Sequence, residues 1–246
     1  MKKSTLPVGT LTTNGRITAG SYSRLEVFNN CRYRAYLSFV KRIPEPTNKH
    51  AQRGIDIHKY AEDYICWHTD ELSPELKYFE PELNRLRELY KSHPQYELEV
   101  ENMWCYDKNW AQCPSNAFDN IRFRIKTDVA LKLTKKTLLV IDVKSGKRYG
   151  NEIKHAMQTQ LYGVGGFLRY PGIETVITEL WYTDHNLLVS ASYNMNAVNM
   201  HYNNWRLRTE EMLECTEFMP NPSRETCRYC PYGKTGSGHC TVGIHT

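Results

Sequence analysis

The sequence predicts an α/β fold. A central mixed β-sheet is flanked by helices, with a helical region before it and a turn-rich, cysteine-bearing tail after it. Three observations carry this. Amphipathic segments of helical period come first. The period then switches to alternation around residues 96–134. Strand-like and helix-like segments follow one another to the end in the order helix, strands, helix, tail, and helices packed on a mixed sheet satisfy that order.

Taken in order, "SYSRLEVFNNCRYRAYLSFV" reads as helical, with Ser23 and Glu26 in capping-box spacing and Cys31 in or near the helix. "AQRGIDIHKYAEDYICWH" places Ile57, Ala61, Tyr64, Ile65 and Trp67 at near-helical spacing. "SPELKYFEPELNRLRELYKS" has Ser73 as N-cap, Pro74 in the first turn and Pro81 as a kink. "YELEVENMWCY" and "IRFRIKTDVALKL" alternate as half-buried strands do, and "TLLVIDVK" is apolar enough for a central strand. Lys132, Lys135 and Lys136 then belong to a solvated hairpin. A helix, "NEIKHAMQTQLYGVGGFLRY", is followed by the strands "ETVITELWYT" and "LLVSASYN" and by a long helix through "AVNMHYNNWRLRTEEMLECTEF".

The length of 246 residues suits one domain: residues 1–20 are read as a flexible N-terminus, 21–246 as the domain and 220–240 as its cysteine-bearing tail. A net charge of +5 permits a polyanionic partner without requiring one. The N-terminus has two lysines but no apolar core of a signal peptide, and no apolar run reaches membrane-span length, so a cytoplasmic protein is expected. Eight cysteines are too sparse for a disulfide scaffold and read as core residues or metal ligands. Cys66, Cys105, Cys113 and Cys215 are read as structural, and Met157, Phe167 and Trp205 as core.

The chemistry concentrates in "IDVKSGK". Side chains alternate on a strand, so Asp142 and Lys144 share one face and Val143 takes the other. Alone, such a pair is a strand-end ion pair. Asp128 on the preceding strand adds a second carboxylate, and a divalent cation relieves the repulsion between two of them; Mg²⁺ takes carboxylate and carbonyl oxygens. Lys144 is then placed to hold or deprotonate a water for phosphodiester hydrolysis. Gln158 and Tyr162 are four apart on a helix and share a face suited to a phosphate or a base. Lys147 and Arg148 follow the strand and suit a nucleic-acid backbone. His58 offers an imidazole, although a lone histidine is more often a surface or core residue.

Together these motifs resemble the RecB-like branch of the PD-(D/E)XK nuclease superfamily. "DVKSG" is similar to its D-Y-K-T-G motif, "RGIDIHKYAEDYI" to its first motif and "QTQLY" to its Q-x-x-x-Y helix. An early cysteine with "CRYCPYGKTGSGHC" resembles the iron–sulfur members, which include CRISPR-associated exonucleases and phage proteins. The resemblance runs from about Ser21 to Cys240. It implies a restriction-endonuclease-like core, with His58, Asp128, Asp142 and the Val143 carbonyl as ligands of Mg²⁺ or Mn²⁺ and with Lys144 catalytic. It implies that Gln158 and Tyr162 organise the site and touch substrate. It implies a 4Fe–4S cluster on Cys31, Cys227, Cys230 and Cys240. DNA is the implied substrate, cut as single strands or from ends, with recombination, repair or CRISPR proteins as partners. The glycine often found before the second-motif aspartate is absent, which keeps Asp119 as a rival to Asp128. Zinc competes with iron–sulfur, with His239 as an alternative ligand. Two rival functions are a nucleic-acid-binding protein with a silent site and a zinc-stapled interaction module.

Overall fold

The computed structural model describes residues 15–46, 49–92, 97–146 and 148–244. Its elements run β1 (Gly20–Ser21), α1 (Tyr22–Asn30), α2 (Arg32–Ala35), a π-helical turn (Tyr36–Val40), α3 (Lys49–Ile65), a 3₁₀ turn (Pro74–Phe79), α4 (Glu80–Ser92), β2 (Leu98–Tyr106), β3 (Gln112–Cys113), β4 (Phe123–Thr134), β5 (Thr137–Lys144), α5 (Glu152–Arg169), β6 (Thr175–Tyr182), β7 (Leu187–Asn194), α6 (Met195–Glu214) and α7 (Arg224–Cys227). No helix among the described residues is long and apolar enough to cross a membrane. The chain divides into two compact units, 47–205 and the pairing of 1–46 with 206–246.

The unit 47–205 is the expected mixed sheet between helices. Its strands run in the order β3-β2-β4-β5-β6-β7. Neighbours are antiparallel except β5 and β6, which are parallel with α5 as their crossover. One layer packs α3, the 3₁₀ turn and α4 on the sheet through Ile57, Phe79, Leu83, Leu86, Val129, Ile141, Val143 and Trp181. Phe79 and Trp181 stack at 4.8 Å. Pro81 does not kink a helix; it stands in the first turn of α4, where its missing N–H has no intrahelical partner to lose. Trp67 does not join the core. At φ 62° it lies just past the end of α3, 40% exposed, and its ring covers the guanidinium of the buried Arg87.

On α5, glycine sets the distance to the sheet. A Cβ on Gly166 would meet Leu138 at 2.8 Å and Val176 at 2.9 Å, one residue on β5 and one on β6. A Cβ on Gly165 would meet Ile125 at 2.5 Å. The helix backbone therefore lies directly on the strands, and the turns preceding these glycines bring their side chains within reach of the end of β5.

In the other unit, α1 is capped by Ser21, whose Oγ accepts the Arg24 N–H at 3.3 Å, rather than by Ser23. Ser23 is already inside the helix, where its hydroxyl meets that of Ser21 at 3.2 Å. The predicted continuous helix breaks at Cys31, which is extended (φ −158°, ψ 109°). It resumes as α2 and widens into the π turn. Phe218 packs on Phe28 and Tyr36, and the buried Tyr232 donates to the Ile43 carbonyl at 2.6 Å. A capping box of Ser223 and Thr226 starts α7. Ile17 and Ala19 are buried, while residues 1–14 lie outside the described residues.

Candidate active site

A cleft of about 490 Å³ opens at the end of β5, lined among others by His58, Glu101, Asp128, Asp142, Lys144, Gln158 and Tyr162. Five elements supply it: α3 gives His58, β2 gives Glu101, β4 and β5 give the acids and the lysine, and α5 gives the amide and the phenol.

The pairing of β4 with β5 begins at Thr134↔Thr137 and runs to Val129↔Ile141. At the next position Asp128 Oδ2 accepts the Val143 backbone N–H at 2.6 Å, so a side chain takes over from the backbone ladder. This holds Asp128 beside Asp142. Both acids are buried, at 7% and 3% exposure. Burial, and then the charge of Asp142, raise the Asp128 pKa; the hydrogen bonds from His58 and Val143 oppose the rise.

His58 Nδ1 lies 3.0 Å from Asp128 Oδ1 and 3.7 Å from Glu101 Oε1. Burial disfavours its charged form, but the hydrogen bonds to Asp128 and Glu101 outweigh that and lift its pKa to about 10. Glu101 is also paired with Lys126 at 2.6 Å. Burial would raise its pKa, yet His58 and Lys126 together bring it below the usual value. Its backbone sits at φ 49°, an uncommon conformation for a non-glycine residue in a strand, and one associated with functional sites.

Asp142 is clamped from α5. Tyr162 donates to its Oδ1 at 2.5 Å and Gln158 Nε2 at 3.2 Å, while Gln158 Nε2 also donates to the Tyr162 oxygen at 2.7 Å. Tyr162 is 2% exposed, so its ring offers no open face, and burial followed by the charges of Asp142 and Asp128 keeps the phenol protonated. Lys144 Nζ donates to Gln158 Oε1 at 2.8 Å and stands 2.6 Å from Asp142 Oδ2. That last contact is an ion pair without hydrogen-bond alignment, and Asp142 Oδ2 is a buried oxygen that accepts no hydrogen bond.

The donor set fits a divalent cation. Among the described residues, His58, Glu101 and Asp128 place one ligand atom each within 4.8 Å of one another, and the Asp142 carboxylate belongs to the same cleft. One imidazole among carboxylates suits Mg²⁺ or Mn²⁺.

The predicted residues of this cleft thus come together: His58, Asp128, Asp142, Lys144, Gln158 and Tyr162. Val143 sends its side chain into the core, as alternation requires. Asp119 is exposed and lines a different pocket, with Asp107 and Arg122. Arg148 does not line the cleft; its backbone N–H donates to His185 Nε2 at 3.3 Å. Lys147 lies outside the described residues. Glu101 escaped the sequence reading, because in "YELEVEN" it looks like one more outward polar residue.

Cys31, Cys227, Cys230 and Cys240 line one cavity in the other unit, and all four are free and partly buried. They do not form a close ligand set: the 4.8 Å grouping found in the cleft is absent here among the described residues. Burial pushes the Cys230 thiol pKa up, Cys240 and Cys31 add to this, and a hydrogen bond from the Tyr232 backbone and the charge of Arg34 oppose it. His239 bonds Ser237 at 2.8 Å.

The model of the PD-(D/E)XK nuclease superfamily matches residues 19–235. Among solved structures, a putative exonuclease from Eubacterium rectale is similar over 99% of this chain and 100% of its own, with TM-score 0.53 and 12% identity; this likeness concerns the fold. An alkaline exonuclease from Laribacter hongkongensis is similar over 81% of this chain and 89% of its own, with TM-score 0.33 and 12% identity, which is too loose to carry an argument. No curated protein matches the sequence.

Proposed function

The chain belongs to the PD-(D/E)XK nuclease superfamily, and we propose that its cleft hydrolyses phosphodiester bonds of DNA with a divalent cation. The observation that carries this is the convergence of His58, Glu101 and Asp128 in one cleft with Asp142, whose Oδ2 is ion-paired to Lys144 Nζ at 2.6 Å. His58, Asp128, Asp142 and the Val143 carbonyl would hold Mg²⁺ or Mn²⁺, and Glu101 joins them. When bound, the cation supplies positive charge that polarises a phosphoryl oxygen and lowers the pKa of water. Asp142 is the pivot, since Tyr162 and Gln158 fix one of its oxygens and leave the other for the cation. Lys144, oriented by Gln158, holds the attacking water or the phosphate. Arg148, with Lys147, meets the DNA backbone.

We place the protein in the RecB-like, iron–sulfur branch, as an exonuclease on single strands or DNA ends in repair, recombination or phage and CRISPR DNA processing, with proteins of those processes as partners. Residues 21–246 form its nuclease domain, with 220–240 as the cluster-bearing tail, and its place of work is the cytoplasm. The motif order and the four cysteines on one cavity support this. Zinc would draw four sulfurs to about 2.3 Å from one ion. A 4Fe–4S cluster takes each thiolate on its own iron and tolerates wider spacing.

The test is cleavage of end-labelled single- and double-stranded DNA with Mg²⁺ or Mn²⁺. Metal-dependent loss of the end label, abolished by EDTA, is expected. Intact DNA under both metals, from protein that is folded by circular dichroism, contradicts the reading.

A further inference from the structure

Beside the cleft, an aromatic row leads away from Lys144. Lys144 pairs in register with Tyr182 on β6. Tyr182 Oη meets His155 Nδ1 at 2.7 Å and its ring lies 6.4 Å from that of His185. His185 in turn meets Tyr149 edge-on, at 5.9 Å and 84°. Tyr149 stands at the outer end, 72% exposed, five residues after Lys144. Gly146 at φ 100° and Gly150 at φ 83° flank it, turns that other residues rarely adopt. The Arg148 guanidinium lies 5.9 Å from the Tyr149 ring centre.

A single exposed tyrosine is ordinary. This one differs in how it is held. His185 accepts the Arg148 backbone N–H, which fixes the imidazole, and the edge-on contact supports the phenol, which stays 72% exposed. His185 is anchored through Asp184, its neighbour, which Arg53 grips with two bonds of 2.6 and 3.0 Å. An exposed aromatic ring braced by an imidazole, with a guanidinium over it and in the segment that follows Lys144, has the chemistry of a base-stacking platform.

We propose that Tyr149, propped by His185 and flanked by Arg148, stacks on a base of single-stranded DNA next to the phosphate held at Lys144. This deepens the nuclease reading and rests on it. Stacking needs an unpaired base, so the platform favours single strands or frayed ends over intact duplex. It also puts recognition on Tyr149, since the ring of Tyr162 is closed.

The test measures binding of fluorescein-labelled twelve-residue oligothymidylate by anisotropy, in EDTA so that nothing is cut. It compares the full-length wild type with Tyr149→Ala and Tyr149→Trp. Tyr149→Ala should bind about tenfold more weakly (about 1.4 kcal/mol), and Tyr149→Trp should restore binding. An oligonucleotide of abasic residues should bind wild type and Tyr149→Ala alike, which a merely structural role would not produce. Equal binding of oligothymidylate by wild type and Tyr149→Ala, or no binding by wild type, overturns the platform. Failure of the nuclease reading shows separately, as wild type that cuts no DNA under Mg²⁺ or Mn²⁺.

Discussion

At the scale of single residues, Asp142 and Lys144 satisfy two descriptions at once: they are a strand-end ion pair and the centre of a cation site. The neighbours decide between them. A merely structural pair would not gather further ligand groups, whereas His58, Glu101 and Asp128 place ligand atoms within 4.8 Å of one another in the same cleft. His58 allows a check that needs no substrate. Its pKa of about 10 in the metal-free protein lies above the ordinary value of 6.5. Its stabilising contribution is therefore full below pH 6.5 and is lost as pH rises towards and through 10. In EDTA, the Tm of wild type should fall across that window more steeply than that of His58→Gln; parallel profiles contradict the assignment. At pH 7.5 His58 is protonated, and a ligand must be neutral. Titration of Mn²⁺ in buffers of different ionisation enthalpy should therefore register release of about one proton. Asp142 and Lys144 were legible because a strand has period two. Glu101 was not, since its orientation depends on a φ of 49° that no local pattern announces.

At the scale of elements, α5 is the part whose placement the chemistry depends on most. Gln158 and Tyr162 reach Asp142 because Gly165 and Gly166 let the helix backbone settle on the sheet. Gly166→Val would force methyl groups against Leu138 and Val176. Overpacking of this kind costs about 1–3 kcal/mol, and lifting α5 would loosen the Asp142 clamp as well. We expect a lower Tm together with a fall in cleavage larger than the unfolded fraction explains; denaturant melts run beside kinetics check this. Most elements were legible because apolar residues recur at the period of the element that buries them, as Ile57, Ala61, Tyr64 and Ile65 do on α3. The π turn at Tyr36–Val40 and the break at Cys31 were not, because tertiary packing rather than local propensity sets them.

At the scale of the whole molecule, the fold class followed from the order of segments, and the turn-rich character of the tail from its composition, whereas what holds the tail in place did not follow from periodicity. Residues 220–240 have little apolar content, and among them only Tyr232 is a large, fully buried side chain. A cluster on Cys31, Cys227, Cys230 and Cys240 would supply the folding free energy that such a tail lacks. Protein purified without air should be brown, and Cys31→Ala and Cys227→Ala should each bleach it and open the tail to protease, while Cys66→Ala keeps the colour. Colourless protein with about one zinc per chain would replace the cluster by a zinc site. The central claim concerns the cleft, and one measurement reaches it directly: single-turnover cleavage of end-labelled single-stranded DNA by Asp142→Asn and Lys144→Ala, each checked by circular dichroism. Both substitutions sit at the end of β5, on residues that line the cleft rather than the apolar core. The account predicts native spectra with cleavage reduced at least about 100-fold, roughly 2.7 kcal/mol of lost transition-state stabilisation. Two folded variants that cut as wild type does, with the same metal requirement, would contradict it.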